Sequence, residues 1–196
     1  MFDQYKVEVY KSTKDLETLS YFIKKNHYLK SLSRGNKYVF VLKGLNNEIV
    51  GSALFGTPVG TNVEKCYSIG NTKLLELKRF VLKNTPKNTA SWFMSKCMKY
   101  LKQNTDVRVI ISYADPTQGH EGTIYKASNF KYLGKQKYSP GYMFKLGKEK
   151  FYQRNIYQPT KETLLKIKEA KENGTFKKTL LKRKHIFRYV IGENNL

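Results

Sequence analysis

Residues 74–113 read LLELKRFVLKNTPKNTASWFMSKCMKYLKQNTDVRVIISY, and this stretch decides the fold. Leu74–Leu82 is apolar and strand-like. Its alternation predicts Leu75, Leu77, Arg79 and Val81 on one face and Glu76, Lys78 and Phe80 on the other. Asn84–Asn88 contains Pro86 and reads as a short loop. From Thr89 to Lys102 the apolar residues recur at helical spacing: Phe93, Cys97 and Leu101 form a stripe, with Met94 and Met98 beside it. Val107–Tyr113 is a second strand. A strand, a short loop, a helix and a strand in that order predict two parallel strands joined by a crossover, and therefore an α/β fold.

Toward the N-terminus, Asp15–Lys25 predicts a short helix through Leu16, Leu19, Tyr21 or Phe22, and Ile23, with Ser12 or Thr13 available as its cap. His27 and Tyr28 follow it directly. Tyr38–Leu42 and Ile49–Phe55 predict strands separated by the turn residues Asn46 and Asn47. Thr57–Asn71 is loop-like. Toward the C-terminus, Asp115-Pro116 ends the second strand of the opening pair. Gly119–Gly122 leads into a short helix that runs through Phe130, and β-like stretches follow near 132–135 and 142–146. Residues 1–147 are thus expected to form one catalytic α/β domain. Residues 148–196 are expected to form a basic C-terminal extension: a Lys-rich helix over 160–172, the run Lys177–Lys184 and a strand over 186–191, either folded back or lying along DNA.

The charge points to a partner. A net +22 over 196 residues attracts polyanions and says little about fold. It is densest at the end, where residues 131–196 hold 17 Lys+Arg against 5 Asp+Glu. A plain solubility surface is the bland reading; nucleic acid is the better one, because scattered Lys and Arg neutralise phosphates well. The 15 tyrosines suit surfaces that meet flat polar ligands. Cys66 and Cys97 form no CxxC pattern, no signal segment opens the chain and no apolar run is long enough to span a bilayer. These features predict a reducing, cytoplasmic setting.

Several residues could carry chemistry. The helix starting near Thr89 presents unpaired N–H groups and a positive dipole end, a place for a pyrophosphate. Asn88 can cap there, and Thr89 and Ser91 can donate hydroxyls; an ordinary capped core helix is the alternative. Arg79 shares its face with aliphatic residues and so needs an anion: a substrate or cofactor group, or a structural partner such as Asp115. Asp115 sits at a strand end, where open α/β sheets collect ligands. His120, Glu121 and Tyr125 follow it closely. Tyr125 opens a Tyr-x-x-x-Asn-Phe pattern in which Asn129 tolerates a left-handed backbone. Packing against the sheet is the alternative for this tyrosine. His27, Asp115 and His120 are candidate metal ligands, although no spacing identifies a metal; His27 is otherwise an acid–base or binding group, or a surface residue.

The pattern from Tyr125 resembles the Tyr-x-x-x-Gly-Phe segment of GNAT acetyltransferases. PKNTASWFMSKCMKYL (86–101) and ISYADPTQGHEGTIYKASNF (111–130), together with LELKRFV (75–81), Asn26–Tyr28 and KHIFRY (184–189), resemble the Mom family of phage DNA-modification proteins. That resemblance covers most of the chain. It implies a GNAT-like acyltransferase fold, a mixed central sheet flanked by helices. It implies conversion of DNA adenine to N6-(methylcarbamoyl)adenine, protecting the DNA from restriction, with acetyl-CoA as donor and iron as a possible cofactor. Arg79, Asn88, Thr89 and Ser91 would serve the acyl-CoA side. Arg79, Asp115, Tyr125, His27 and Tyr28 would line the reaction centre, and Lys182, Arg183, Lys184 and Arg188 would contact double-stranded DNA. The usual GNAT pyrophosphate loop, with its glycine pattern, is missing here, and Asn84–Ser91 stands in its place. Two competing expectations share this scaffold: an acetyltransferase for a protein or small-molecule amine, and a nucleic-acid-binding protein without enzymatic activity.

Overall fold

In a computed structural model of the protein, β4 (Leu74–Leu82) and β5 (Val109–Ala114) are parallel neighbours joined through helix α2 (Thr89–Asn104), as the opening stretch predicts. The structure describes every residue except 1, 11–12, 60–62, 64–66, 68–72, 138–140, 147–148, 153–160 and 193–196. The expected cap at Ser12 or Thr13, Cys66 and most of the 57–71 loop lie outside the described side chains. Before β4 come β1 (Lys6–Tyr10), α1 (Thr13–Asn26), β2 (Asn36–Lys43) and β3 (Ile49–Gly56). After β5 a single 3-10 turn (Pro116–Gln118) leads to the short helix α3 (Thr123–Lys126) and to β6 (Lys131–Lys135), β7 (Tyr142–Leu146), β8 (Glu149–Tyr152), α4 (Lys161–Glu172), β9 (Phe176–Leu180) and β10 (His185–Val190).

Seven strands form one mixed sheet in the order β1-β2-β3-β4-β5-β10-β6, and β8-β7-β9 form a separate small sheet. Only the β4–β5 pair is parallel among the described strand pairs. Each face of the large sheet carries its own core. Helix α2 buries Phe93, Met94, Cys97, Met98 and Leu101 against Phe40, Phe55, Leu75, Leu77 and Phe187. On the other face α1 buries Leu19, Phe22 and Ile23 against Val39, Val41, Leu54 and Val81. Both helices place their apolar stripes where the 3.6-residue period directs them.

The simple alternation expected along β4 fails in its middle. Leu54 pairs with Arg79 and Phe55 with Leu77, so Lys78 is an extra residue in a bulge. A bulge inserts one residue and reverses the facing of all that follow. Leu75 and Leu77 therefore face α2 together with Phe80 and Leu82, while Val81 packs on the α1 side. The predicted face of Leu75, Leu77, Arg79 and Val81 is corrected accordingly: Arg79 and Val81 cross to the side of Glu76.

The division expected at residue 147 is also redrawn. β7 lies before it but pairs with β8 and β9, and β10 leaves the tail to pair with β5 and β6 inside the large sheet. Phe187 is fully buried there. The strand expected over 186–191 is thus the folded-back one, and without it β5 would present a bare edge. β1, whose KVEVY mixes charge with valine, is a strand the sequence reading passed over.

Candidate active site

Pairing between β4 and β5 runs from Leu74↔Val109 to Leu77↔Ser112 and then stops, although β4 continues to Leu82 and β5 to Ala114. The strands splay just where the Lys78 bulge turns β4. A cavity of about 390 Å³ opens at this fork, within the range of roughly 300–1,000 Å³ usual for small-molecule sites. Its walls come from both faces of the sheet. Leu77, Phe80, Ile124 and Tyr125 belong to the α2-side core, whereas Tyr113 packs on the opposite face and His27 and Tyr28 follow α1.

At the last paired rung the Ser112 hydroxyl donates to the Leu77 carbonyl at 3.2 Å. The Tyr125 hydroxyl is hydrogen-bonded with Ser112, and burial raises its pKa above the usual phenol value, with Glu76 adding to the rise. The Tyr125 ring is clamped by Phe187 at 5.0 Å and Phe130 at 5.5 Å between centroids. Gly122 permits this: it has φ 77°, and a Cβ there would lie 2.1 Å from Phe187 Cζ. Asn129 adopts φ 60°, the left-handed conformation its place after the helix requires, and Phe130 N–H closes on the Tyr125 carbonyl at 2.9 Å.

Part of the cavity lining is an aromatic cluster. His27 and Tyr28 stack at 4.5 Å, and Tyr28 meets His120 edge-on at 5.5 Å. Burial, then electrostatic interaction with Arg79 and His120, lowers the His27 pKa to about 4. His27 is thus a neutral imidazole at neutral pH. Its Nδ1 accepts the Leu29 N–H at 3.1 Å, which leaves the proton on Nε2 as a donor.

Other predicted residues lie around this centre in different roles. Arg79 does not line the cavity; its Nε donates to the Ser31 carbonyl at 3.2 Å and its Nη1 to the Lys78 carbonyl at 2.7 Å. It ties the segment after His27–Tyr28 to the bulge. Asp115 is buried and also outside the lining: Oδ1 accepts the Thr117 N–H at 3.0 Å, and its carbonyl accepts the N–H groups of Gln118 and His120. This carboxylate shapes the loop that carries Gly119–Gly122. At the start of α2, Thr89 is fully buried with no protein partner for its hydroxyl, Asn88 makes no side-chain cap, and Ser91 donates back to the Asn88 carbonyl at 3.1 Å. Asn84 and Asn88 have φ 51° and 69°, so two asparagines adopt the left-handed backbone that glycine supplies in a glycine-rich loop. A second cavity of about 320 Å³ lies between α2 and α3, lined by Ser91, Ser95, Lys99, Lys102, Ser128 and Tyr189 among others.

Of the basic candidates, Lys182 is anchored through its N–H to Thr117 Oγ1 at 2.9 Å, and Lys184 acts electrostatically on Glu76. Arg188 lies in β10 with its Nε buried and unpartnered. The metal candidates do not form a site: among the described residues no three His, Cys, Asp or Glu side chains converge. His27 and His120 instead belong to the aromatic cluster, and Asp115 to the loop behind it.

Simple alternation along β4 sets Glu76 on the face opposite Arg79. The bulge brings the two to the same side. The Glu76 carboxylate accepts the Val59 N–H at 2.9 Å. Burial raises its pKa, opposed by that hydrogen bond and by Lys78, Lys184 and Arg79. A lone carboxylate in an apolar strand is the signal that could have found it.

The sequence matches the Mom protein family over residues 10–194. The chain belongs to the Mom protein family. No curated protein sequence matches it. Among solved structures it resembles a probable acetyltransferase from Staphylococcus epidermidis ATCC 12228, with 11% identity, TM-score 0.55 and coverage of 95% of this chain and 98% of that one. It also resembles ribosomal-protein-S5-alanine acetyltransferase from Vibrio fischeri, with 9% identity, TM-score 0.54 and coverage of 98% and 96%. Spermidine N-acetyltransferase from Vibrio cholerae, solved with CoA and spermine, aligns with 10% identity, TM-score 0.52 and 96% of each chain. At such identities the likeness is one of fold: this Mom-family chain has the GNAT acyltransferase fold, with its sheet forked between β4 and β5.

Proposed function

We propose that this protein transfers an acyl-type group from an acyl-CoA thioester to the N6 amine of adenine in double-stranded DNA, marking the DNA against restriction. The family resemblance makes N6-(methylcarbamoyl)adenine the product to look for. One observation carries the reading: a cavity at the fork of the sheet whose lining brings a buried tyrosine hydroxyl together with a neutral histidine–tyrosine stack. The chain's charge gives that site a polyanionic partner.

An adenine in a duplex is out of reach, so the base must be turned out of the stack, at a cost of a few kcal/mol. Tyr28 offers it a stacking surface and His27 Nε2–H a donor for a ring nitrogen. Glu121, the carboxylate that lines the cavity, is assigned to receive the N6 proton as the N–C bond forms, while Glu76, held by the Val59 N–H, helps keep Tyr125 protonated. Tyr125 is assigned to protonate the thiolate released when the C–S bond breaks. Arg79 positions the segment after His27–Tyr28 by donating to the Ser31 and Lys78 carbonyls. Asn88, Thr89 and Ser91 are assigned to the pyrophosphate of CoA, because a buried hydroxyl without a partner and an uncapped helix start fit an anion. Lys182, Arg183, Lys184 and Arg188 are assigned to DNA phosphates. Iron does not fit the described residues, among which no three metal-ligating side chains converge. Acetyl transfer alone does not supply the extra nitrogen of a methylcarbamoyl group, so the mass of the product distinguishes the two.

An amine acetyltransferase of the spermidine type would share the fold. A chain of +22 repels a polyamine and attracts a duplex, which favours DNA. The test is to express the protein in a bacterial host, digest the DNA to nucleosides and compare masses with a vector control and with the Tyr125→Phe variant. A new adenosine derivative confined to the wild type is expected. Unmodified nucleosides, together with acetylation of free amines by the purified protein, would overturn the proposal.

A further inference from the structure

Strands β8, β7 and β9 lie between β6 and β10 in the chain, and α4 covers one side of their sheet. The register sorts their residues. Leu146 pairs with Phe176 and Phe144 with Lys178, while Leu146 also pairs with Glu149. This is the α4 side, where Leu146 and Ala170 are buried and Phe144 meets Phe176 at 5.7 Å. The carboxylates gather there too: Lys166 bridges Glu149 at 3.4 Å and Glu162 at 3.0 Å, and Lys168 reaches Glu172 at 3.9 Å. Lys178 rests over the Tyr142 ring at 3.8 Å.

The opposite side is different. Lys145 pairs with Lys150 on one neighbour and with Lys177 on the other. Three exposed lysines therefore stand side by side across the sheet, on strands roughly 4.8 Å apart. Among the described residues none of the three makes an ion pair, and the residues beside them in β7 and β9 are Met143 and Thr179. Like charges directly opposite one another destabilise a sheet. Edge lysines can protect a strand from aggregation, but Lys145 is on the central strand, where no edge needs protecting. Such a row is stable in company with closely spaced anions.

We propose that the Lys150–Lys145–Lys177 row docks the phosphate backbone of duplex DNA beside the cavity; the proposal rests on DNA as the substrate and names the element that grips it. Position supports this. Lys182 lies five residues after Lys177, at most about 17 Å of extended chain, and its N–H is fixed to Thr117 Oγ1 at 2.9 Å. Three residues on, His185 Nε2 lies 3.2 Å from Glu121 Oε2, and Glu121 lines the cavity. Lys177, at one end of the row, is thus joined by a short, anchored stretch of chain to the loop that lines the cavity.

Binding of a fluorescent mixed-sequence duplex is to be measured by anisotropy between 50 and 200 mM salt, on the order of the range over which phosphate contacts are read. The wild type is compared with Lys145→Ala/Lys150→Ala/Lys177→Ala and with Lys24→Ala/Lys25→Ala/Lys37→Ala, which removes the same charge from exposed sites elsewhere. Thermal melting confirms that both variants fold. Loss of the row is expected to weaken binding and to reduce the salt slope by about 2.7, or 0.9 per phosphate contact, with the control slope unchanged. Equal effects from the two variants, no effect of the row variant, or a loss seen with single-stranded RNA but not with the duplex would each overturn the proposal. The nucleoside assay keeps the two readings separate. Row-dependent binding without modified adenine refutes the activity and leaves the surface standing; modified adenine with binding indifferent to the row does the reverse.

Discussion

Tyr125 and His27 show how burial selects chemistry at single side chains. The Tyr125 phenol keeps its proton because burial and Glu76 oppose ionisation, the state needed in a donor. Tyr125→Phe is expected to lower the rate of adenine modification by roughly 10²-fold, read as nucleoside yield against time. Its melting temperature is expected to stay close to wild type, because Ser112 retains its bond to Leu77. His27 carries the opposite signature: a pKa of about 4 in the fold against about 6.5 in the unfolded chain. The unfolded state therefore binds more protons between these values. His27 costs the fold nothing above about pH 6.5; stability is lost as pH falls toward 4 and the loss levels off below. Melting curves from pH 7 to pH 4 are expected to show a smaller decline in His27→Gln than in wild type.

At the level of elements, β10 carries more than its basic flanks suggest. Phe187 is fully buried and touches Tyr125, Tyr132 and the position of Gly122. Phe187→Ala is expected to cost about 3–5 kcal/mol, or roughly 10 °C in melting temperature for a chain of this size. It also loosens Tyr125, so activity is expected to fall further than stability alone accounts for, as judged by modification at a temperature where the variant remains folded. The bulge in β4 is the other decisive element. It turns one strand from a wall into a fork, and it carries Arg79 to the side where it can hold the His27–Tyr28 segment.

For the molecule as a whole, the chain does not divide into a catalytic body and a detachable tail. The last strand completes the large sheet, while the segment before it makes a small sheet of its own. A protein truncated after Lys184 is expected to lose cooperative unfolding by circular dichroism, because β5 and β6 would lose their shared neighbour. A terminal arm that served DNA alone would leave the melting transition intact. The charge acts at this scale as well, since among the described residues few of the lysines are neutralised by carboxylates.

Much was legible in the order of residues. Apolar periods identified α1, α2, β2 to β5 and the parallel crossover, because burial of a regular face is a local property of the pattern. The motif from 111 to 130 located the cavity loop, and Asn129 took the backbone its chemistry allows. What only the folded chain decided depends on pairing across distance. One unpaired residue, Lys78, reversed the facing of half a strand and made Glu76 and Arg79 neighbours. Asp115 proved to bend a loop rather than line a pocket, and three lysines far from conspicuous in the sequence came into one row. Periodicity tells a residue which way its own element presents it; register against a partner strand tells it what stands opposite, and that is settled by contacts the local sequence does not contain.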